Sequence, residues 1–342
     1  MSDRSFWICA PPVHELRQEK REMTDDYIEA DCAGNPEEWV LCTLFEGDYH
    51  FGLAALINSL AQSGFQGSIA AGYRGALPPW IDQLKPLDRE GSYEVSPGVR
   101  IEFMRLDTAV HFTNIKPQFM QQLIRDRGCK YIWYFDPDIV VRCPWSFYVR
   151  WVRHGVALCE DINGNLPANH PLRHRWSELV SPAGLRNPQP LSTYFNAGFI
   201  GLPATCSGFL DLWQKVTRIA ESKGLDTRAF GKGDRTHPFS KADQDTLNIA
   251  AMYSEYPLTT MGAEAMGFVP GGVTMFHAVG ALKPWRKKMI WSALLGVPPS
   301  NVDKAFLACV NDPIRSYSRL GLAGRRIRCR IGALIGRFYH RR

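Results

Sequence analysis

Short, nearly unbroken apolar runs alternate along the chain with segments of helical periodicity. The run Trp39-Val-Leu-Cys-Thr-Leu-Phe45 has strand length, and after Gly47-Asp48-Tyr49 the apolar positions Leu53, Leu56, Ile57 and Leu60 share one helical face. Further strand-like runs occupy residues 68–73, 99–106, 130–135, 139–141, 156–159 and 199–202. Helical patterns fall at 117–127, closed by Gly128, and at 208–220 and 241–252. Strands alternating with helices predict an α/β fold with a mostly parallel central sheet flanked by helices. Ligands of such sheets gather beyond the strands' carboxyl ends.

Composition narrows the class. The 342 residues, 45% apolar and 22% charged, fit a soluble, enzyme-sized globular protein of one large domain or two, which excludes disordered and collagen-like chains. No stretch of about 20 apolar residues and no leader-like N-terminus is present, so neither a spanning helix nor export is expected. Nine scattered cysteines without a Cys-x-x-Cys pair indicate neither a disulfide framework nor a zinc site and point to a reducing cytoplasm. Residues 13–31 are densely charged and read as a solvated extension without chemistry.

Charge is uneven. Of 40 Lys plus Arg, nine are arginines between Arg315 and Arg342, and without them 31 bases face 34 acids, a net −3. The basic character therefore belongs to the tail, which argues against a general nucleic-acid surface and for a local anionic partner. As a helix, the tail sets Leu320, Ile327, Ile331, Leu334, Ile335 and Phe338 on one face, with Arg325, Arg326, Arg328 and Arg337 outside it. Such a helix can lie in an anionic membrane interface, with the protein peripheral on the inner face, or dock on its own domain with the apolar face inward. Glycines 321, 324, 332 and 336 argue against a continuous helix.

Four stretches carry candidate chemistry. In Tyr134-Phe-Asp136-Pro137-Asp138-Ile-Val-Val, two carboxylates sit in a break between apolar strand segments, where they can act as hard oxygen ligands or simply as turn residues. His277, in Thr274-Met-Phe-His277-Ala-Val-Gly280-Ala-Leu-Lys283-Pro284-Trp285, either ends a strand as a core histidine or adds an imidazole ligand that suits Mn²⁺. Lys283 places a second positive charge nearby. Tyr194-Phe-Asn196-Ala197-Gly198 pairs an amide with small residues that permit close approach of a ligand, or is a strand with a bulge. Lys241-Ala-Asp243-Gln244-Asp245 opens a helix, where acids also serve the helix dipole.

In this order the stretches resemble the family 8 glycosyltransferases, the group of glycogenin and the bacterial lipooligosaccharide galactosyltransferases, over roughly residues 39–290. The resemblance implies a GT-A fold, a UDP-sugar donor, Mn²⁺ or Mg²⁺, and hexosyl transfer with retention. By the same resemblance Asp136, Asp138 and His277 would hold the metal, and Gly280 and Lys283 would contact the diphosphate. Asn196, Ala197, Asp243 and Gln244 would lie beside the donor sugar, with Gln244, Asp243 and Lys283 as the catalytic set. Thr43, Leu44, Glu46 and Tyr49 match the uridine-binding segment, with Glu46 where the family has Asp and Tyr49 placed to stack on uracil. Lys116 takes the place of a family arginine near phosphate or sugar, or is an ordinary exposed lysine. Residues 160–193, including Asn163, Asn165, Asn169, His170 and Arg175, fall where acceptor loops vary, the acceptor being a glycan or lipid-linked sugar. The chain then divides into a charged extension (1–38), a GT-A domain (39–292) and a helical segment with the basic tail (293–342). A sugar-1-phosphate nucleotidylyltransferase and a non-catalytic nucleotide-sugar-binding or membrane-adaptor protein are the alternatives. The former would carry a Gly-rich basic loop after the first strand, and Glu46-Gly-Asp-Tyr is not one.

Overall fold

The computed structural model describes residues 35–162, 166–229 and 237–338. Within them β1 (Trp39–Glu46) leads into α1 (His50–Gln62), followed by β2 (Gly67–Arg74), β3 (Lys85–Pro86), β4 (Ser92–Ser96) and β5 (Val99–Arg105). Then come α2 (Lys116–Arg127), β6 (Tyr131–Phe135), β7 (Ile139–Val141), α3 (Trp145–Val152), β8 (Val156–Glu160) and α4 (Pro171–Val180). The remainder is β9 (Phe195–Pro203), α5 (Gly208–Ser222), α6 (Ala242–Tyr253), β10 (Leu258–Met261), β11 (Met275–His277), α7 (Met289–Leu294), α8 (Asn301–Cys309) and α9 (Arg319–Ile335).

Nine strands form one sheet in the order β10-β8-β9-β6-β1-β2-β5-β4-β3, and β11 pairs with β7 in a separate antiparallel ribbon. The central strands β6, β1, β2 and β5 are parallel, as predicted. β9 runs antiparallel between β6 and β8, while the β3–β4 hairpin extends the far edge. That hairpin lies outside the predicted strands because its short, half-exposed sequence carries no apolar run.

Alternate residues of β1 feed two cores, which explains why the strand is apolar throughout. Val40, Cys42 and Leu44 pack with Phe119 and Leu123 of α2 and Trp213 of α5, whereas Trp39, Leu41 and Phe45 pack with Leu53, Leu56 and Ile57 of α1 and Trp145 of α3. Because β6 and β8 both run against β9, the carboxyl ends of β1, β6 and β8 and the start of β9 meet at one edge.

The tail departs from expectation. α9 is continuous, and it docks through Leu322, Cys329 and Gly332, with Gly336 buried just beyond. A Cβ at Gly332 would stand 2.7 Å from the Met289 carbonyl oxygen, so the glycine permits close helix approach where it was read as a breaker. The apolar stripe points outward, with Leu320 86%, Leu334 53% and Phe338 82% exposed, which overturns docking with that face inward. Among the described residues, no helix is long and apolar enough to cross a membrane.

Candidate active site

A cleft of about 520 Å³ opens at the converging strand ends. β6 stops at Phe135, the turn Asp136-Pro-Asp138 interrupts the strand, and β7 begins at Ile139, with both carboxylates lining the cleft. β11 pairs with β7 so that His277 lies opposite Ile139 and ends its strand facing the turn. Its Nε2 is 3.3 Å from Asp138 Oδ1 and 3.6 Å from Asp136 Oδ2, and one ligand atom from each of the three residues falls within 4.8 Å of the others. Two carboxylate oxygens and an imidazole nitrogen are a donor set that could hold a divalent cation.

Two lysines are built into this floor. Lys283 Nζ donates to Asp138 Oδ2 at 2.5 Å and to the Ala278 carbonyl oxygen at 2.6 Å. Burial alone would raise the Asp138 pKa, but His277 and Lys283 beside it hold the carboxyl well below the usual carboxylate range. Burial works against the Lys283 charge, and Asp138 more than offsets it, raising the lysine pKa. Lys116 is 1% exposed and sits behind the floor, its Nζ 3.0 Å from Asp136 Oδ1, 3.1 Å from Asp243 Oδ2 and 2.8 Å from the Ala197 carbonyl oxygen. It is therefore not an exposed lysine. It ties β6, β9 and α6 together beneath the cleft.

The Asn196-Ala-Gly198 segment belongs to β9, longer than the predicted strand, and couples to the same centre. Gly198 N donates to Asn196 Oδ1, and Asp136 N donates to the Gly198 carbonyl oxygen. A Cβ at Gly198 would stand 2.4 Å from His277 Cε1, so only glycine admits the imidazole here. Asn196 Nδ2 donates to Asp161 Oδ2 at 2.7 Å and to Gln244 Oε1 at 3.3 Å, while the buried Gln244 Nε2 has no partner. Asp245 serves the fold, accepting from Tyr194 Oη at 2.6 Å and from the Lys241 backbone N–H at 2.7 Å and so closing the start of α6. Burial nevertheless raises its pKa to about 7.

Of the sequence-predicted residues, Leu44, Glu46, Tyr49, Asp136, Pro137, Asp138, Asn196, Ala197, Asp243, Gln244, His277, Gly280 and Lys283 line the cleft. Thr43 and Lys116 do not; Thr43 is wholly buried below it. Glu46 is held by Arg74, whose Nε and Nη2 donate to its Oε2 at 2.9 and 2.7 Å. Tyr49 stands edge-on to Trp285 at 5.3 Å. His170 caps α4 through its Nδ1, and Asn163 and Asn165 lie outside the described residues. Sequence reasoning missed His111, Thr113, Asp161, Lys241 and Arg286, which also line the cleft. Asp161 follows a strand's carboxyl end, and that position was its one available signal.

No protein-family model matches the chain, and no curated protein matches it. Among solved structures it is similar to the apo structure of WbbM, a bifunctional glycosyltransferase, at 15% identity and a TM-score of 0.51, over 83% of this chain and 51% of that one. It also aligns with the glycosyltransferase GlyE of Streptococcus pneumoniae TIGR4 at 12% identity and a TM-score of 0.48, over 80% of this chain and 60% of that one. The chain thus spans about half of WbbM's length and three-fifths of GlyE's. The mixed sheet and its flanking helices are thus a fold that the chain shares with WbbM.

Proposed function

We propose that the chain is a metal-dependent retaining hexosyltransferase that uses a UDP-sugar donor and a glycan or lipid-linked acceptor. The observation that carries this reading is the convergence of Asp136, Asp138, His277 and Lys283 on one cleft at the carboxyl edge of a glycosyltransferase-type sheet. Asp136, Asp138 and His277 would hold Mn²⁺ or Mg²⁺, which when bound supplies Lewis-acid neutralisation of the diphosphate. Lys283, already drawn to Asp138, is the residue available to pair with phosphate charge as the UDP leaving group departs. Tyr49 and Leu44 offer an apolar wall to a nucleobase at the end of β1.

Asn196, Asp243 and Gln244 also line the cleft and would lie beside the donor sugar. Asp243 is fixed by Lys116, and Asp161 is engaged by Asn196, so the polar groups are oriented in advance. The neutral amide of Gln244 is a weak nucleophile, which favours front-face attack of the acceptor hydroxyl beside the departing phosphate over a covalent intermediate. Trapping a glycosyl adduct on Gln244 or Asp161 would overturn that mechanism.

The direct test is thermal stabilisation of the purified chain by UDP and UDP-sugars, with Mn²⁺ and with a chelator. A Mn²⁺-dependent shift with UDP, abolished in Asp138→Asn, is expected. An equal shift in that variant would remove the metal assignment, and donor binding without UDP release would favour a non-catalytic binding protein.

A further inference from the structure

The outward stripe of α9 has a chemical setting that the amphipathic pattern alone does not reveal. Leu320, Ile327, Ile331, Leu334 and Phe338, all exposed, fall within an arc of about 60° at about 100° per residue, opposite the docked face of Leu322, Cys329 and Gly332. They form an apolar ridge with a basic hollow on either side. On one side Arg315, Arg319, Arg326 and Arg330 line a hollow of about 740 Å³ against α8, with Asp312 also on its wall. On the other, Lys288, Arg325 and Arg328 line a hollow of about 410 Å³ against α7, together with Trp291, which is 61% exposed. Leu295 and Val297, just past α7, are exposed as well. Among the described residues no ion pair engages Arg319, Arg328, Arg330 or Arg337.

We propose that this ridge and its two hollows are a docking surface for an anionic lipid bilayer, the ridge entering the acyl boundary and the hollows receiving headgroup phosphates. The geometry fits an interfacial helix lying in the membrane plane, with apolar side chains directed away from the protein and guanidinium forks level with the phosphate layer. A second copy is a poorer occupant, because a two-fold contact across the ridge would set arginine against arginine with no acid between Arg315 and Phe338 to answer them. A nucleic acid would engage the arginines and leave the ridge in water.

The surface adjoins the cleft. Arg286 lines both the cleft and the hollow beside α7. Resting on the UDP-sugar transferase function proposed for the cleft, a membrane-bound chain holds that cleft beside the lipid layer, which favours a lipid-linked acceptor over a soluble glycan.

The test is flotation of the full-length chain with vesicles of phosphatidylcholine alone and of phosphatidylcholine with phosphatidylglycerol in equal parts, without donor. Binding to the anionic vesicles only is expected, weakening with added salt. Arg319→Gln with Arg330→Gln should lower vesicle affinity about 25-fold, at about fivefold per arginine. Leu334→Ser with Phe338→Ser should abolish flotation while the UDP and Mn²⁺ thermal shift is unchanged, since both side chains are exposed and neither lines the cleft. Failure to float, or equal binding to both vesicle types, overturns the proposal without touching the donor site. So does a dimer in light scattering that the serine variants dissociate, or RNA binding that survives them.

Discussion

Gly198 and Lys116 show how little freedom the centre of the site has. Gly198→Ala would drive a methyl into the His277 ring, an overpacking cost of about 1–3 kcal/mol, and should remove the Mn²⁺-dependent part of the UDP thermal shift while leaving a folded chain. Lys116→Met would leave Asp136 and Asp243 without their buried cation and should destabilise the chain by about 3–5 kcal/mol in denaturant titration. Asp245 gives a pH prediction. Its folded pKa is raised by burial, so the native state holds a proton that the unfolded chain has released, and stability present below about pH 4 is lost as pH rises towards 7. Asp245→Asn should therefore flatten the fall of thermal midpoint across that interval, and an identical slope in both proteins would refute the assignment. At this scale the residues readable in advance were those marked by a local break in pattern, such as Asp136 and Asp138 between two strand segments. Asp161, Lys241 and His111 had no such mark, because they meet only when the sheet order is known.

For secondary-structure elements, periodicity located the central strands and the helices α1, α2, α5 and α6, since each buries a continuous face, but it passed over the shorter α3, α4 and α7. It could not reveal that β9 runs backwards between two parallel neighbours, because strand direction leaves no trace in an apolar run. α9 is the instructive error. Composition treated the glycines of this tail alike, yet their surroundings differ: a Cβ at Gly332 strikes the Met289 carbonyl, whereas at Gly324 the nearest atom is an Arg328 nitrogen at 3.5 Å. Gly324→Ala should accordingly stabilise the helix by about 0.5–1 kcal/mol, and Gly332→Ala should destabilise the chain by about 1–3 kcal/mol despite the same gain in helix propensity. Opposite signs in the thermal midpoints of the two variants would confirm that glycine serves packing at one position and nothing at the other.

Across the whole molecule, the acidic balance of the chain before Arg315 and the arginines after it read as a division of labour. Sequence charge located the basic surface, but which way the helix faced depended on the packing of α7 and α8. The run from Lys283 to Met289 joins the two regions: Lys283 reaches into the cleft, Arg286 is shared and pairs with Asp48, and the Met289 backbone receives α9 at Gly332. This stretch therefore carries two inheritances in seven residues. A change between Lys283 and Met289 would be felt in the cleft and at the seat of α9 at once. Under the proposed function and the proposed docking surface, donor choice and anchoring would be coupled along this connector.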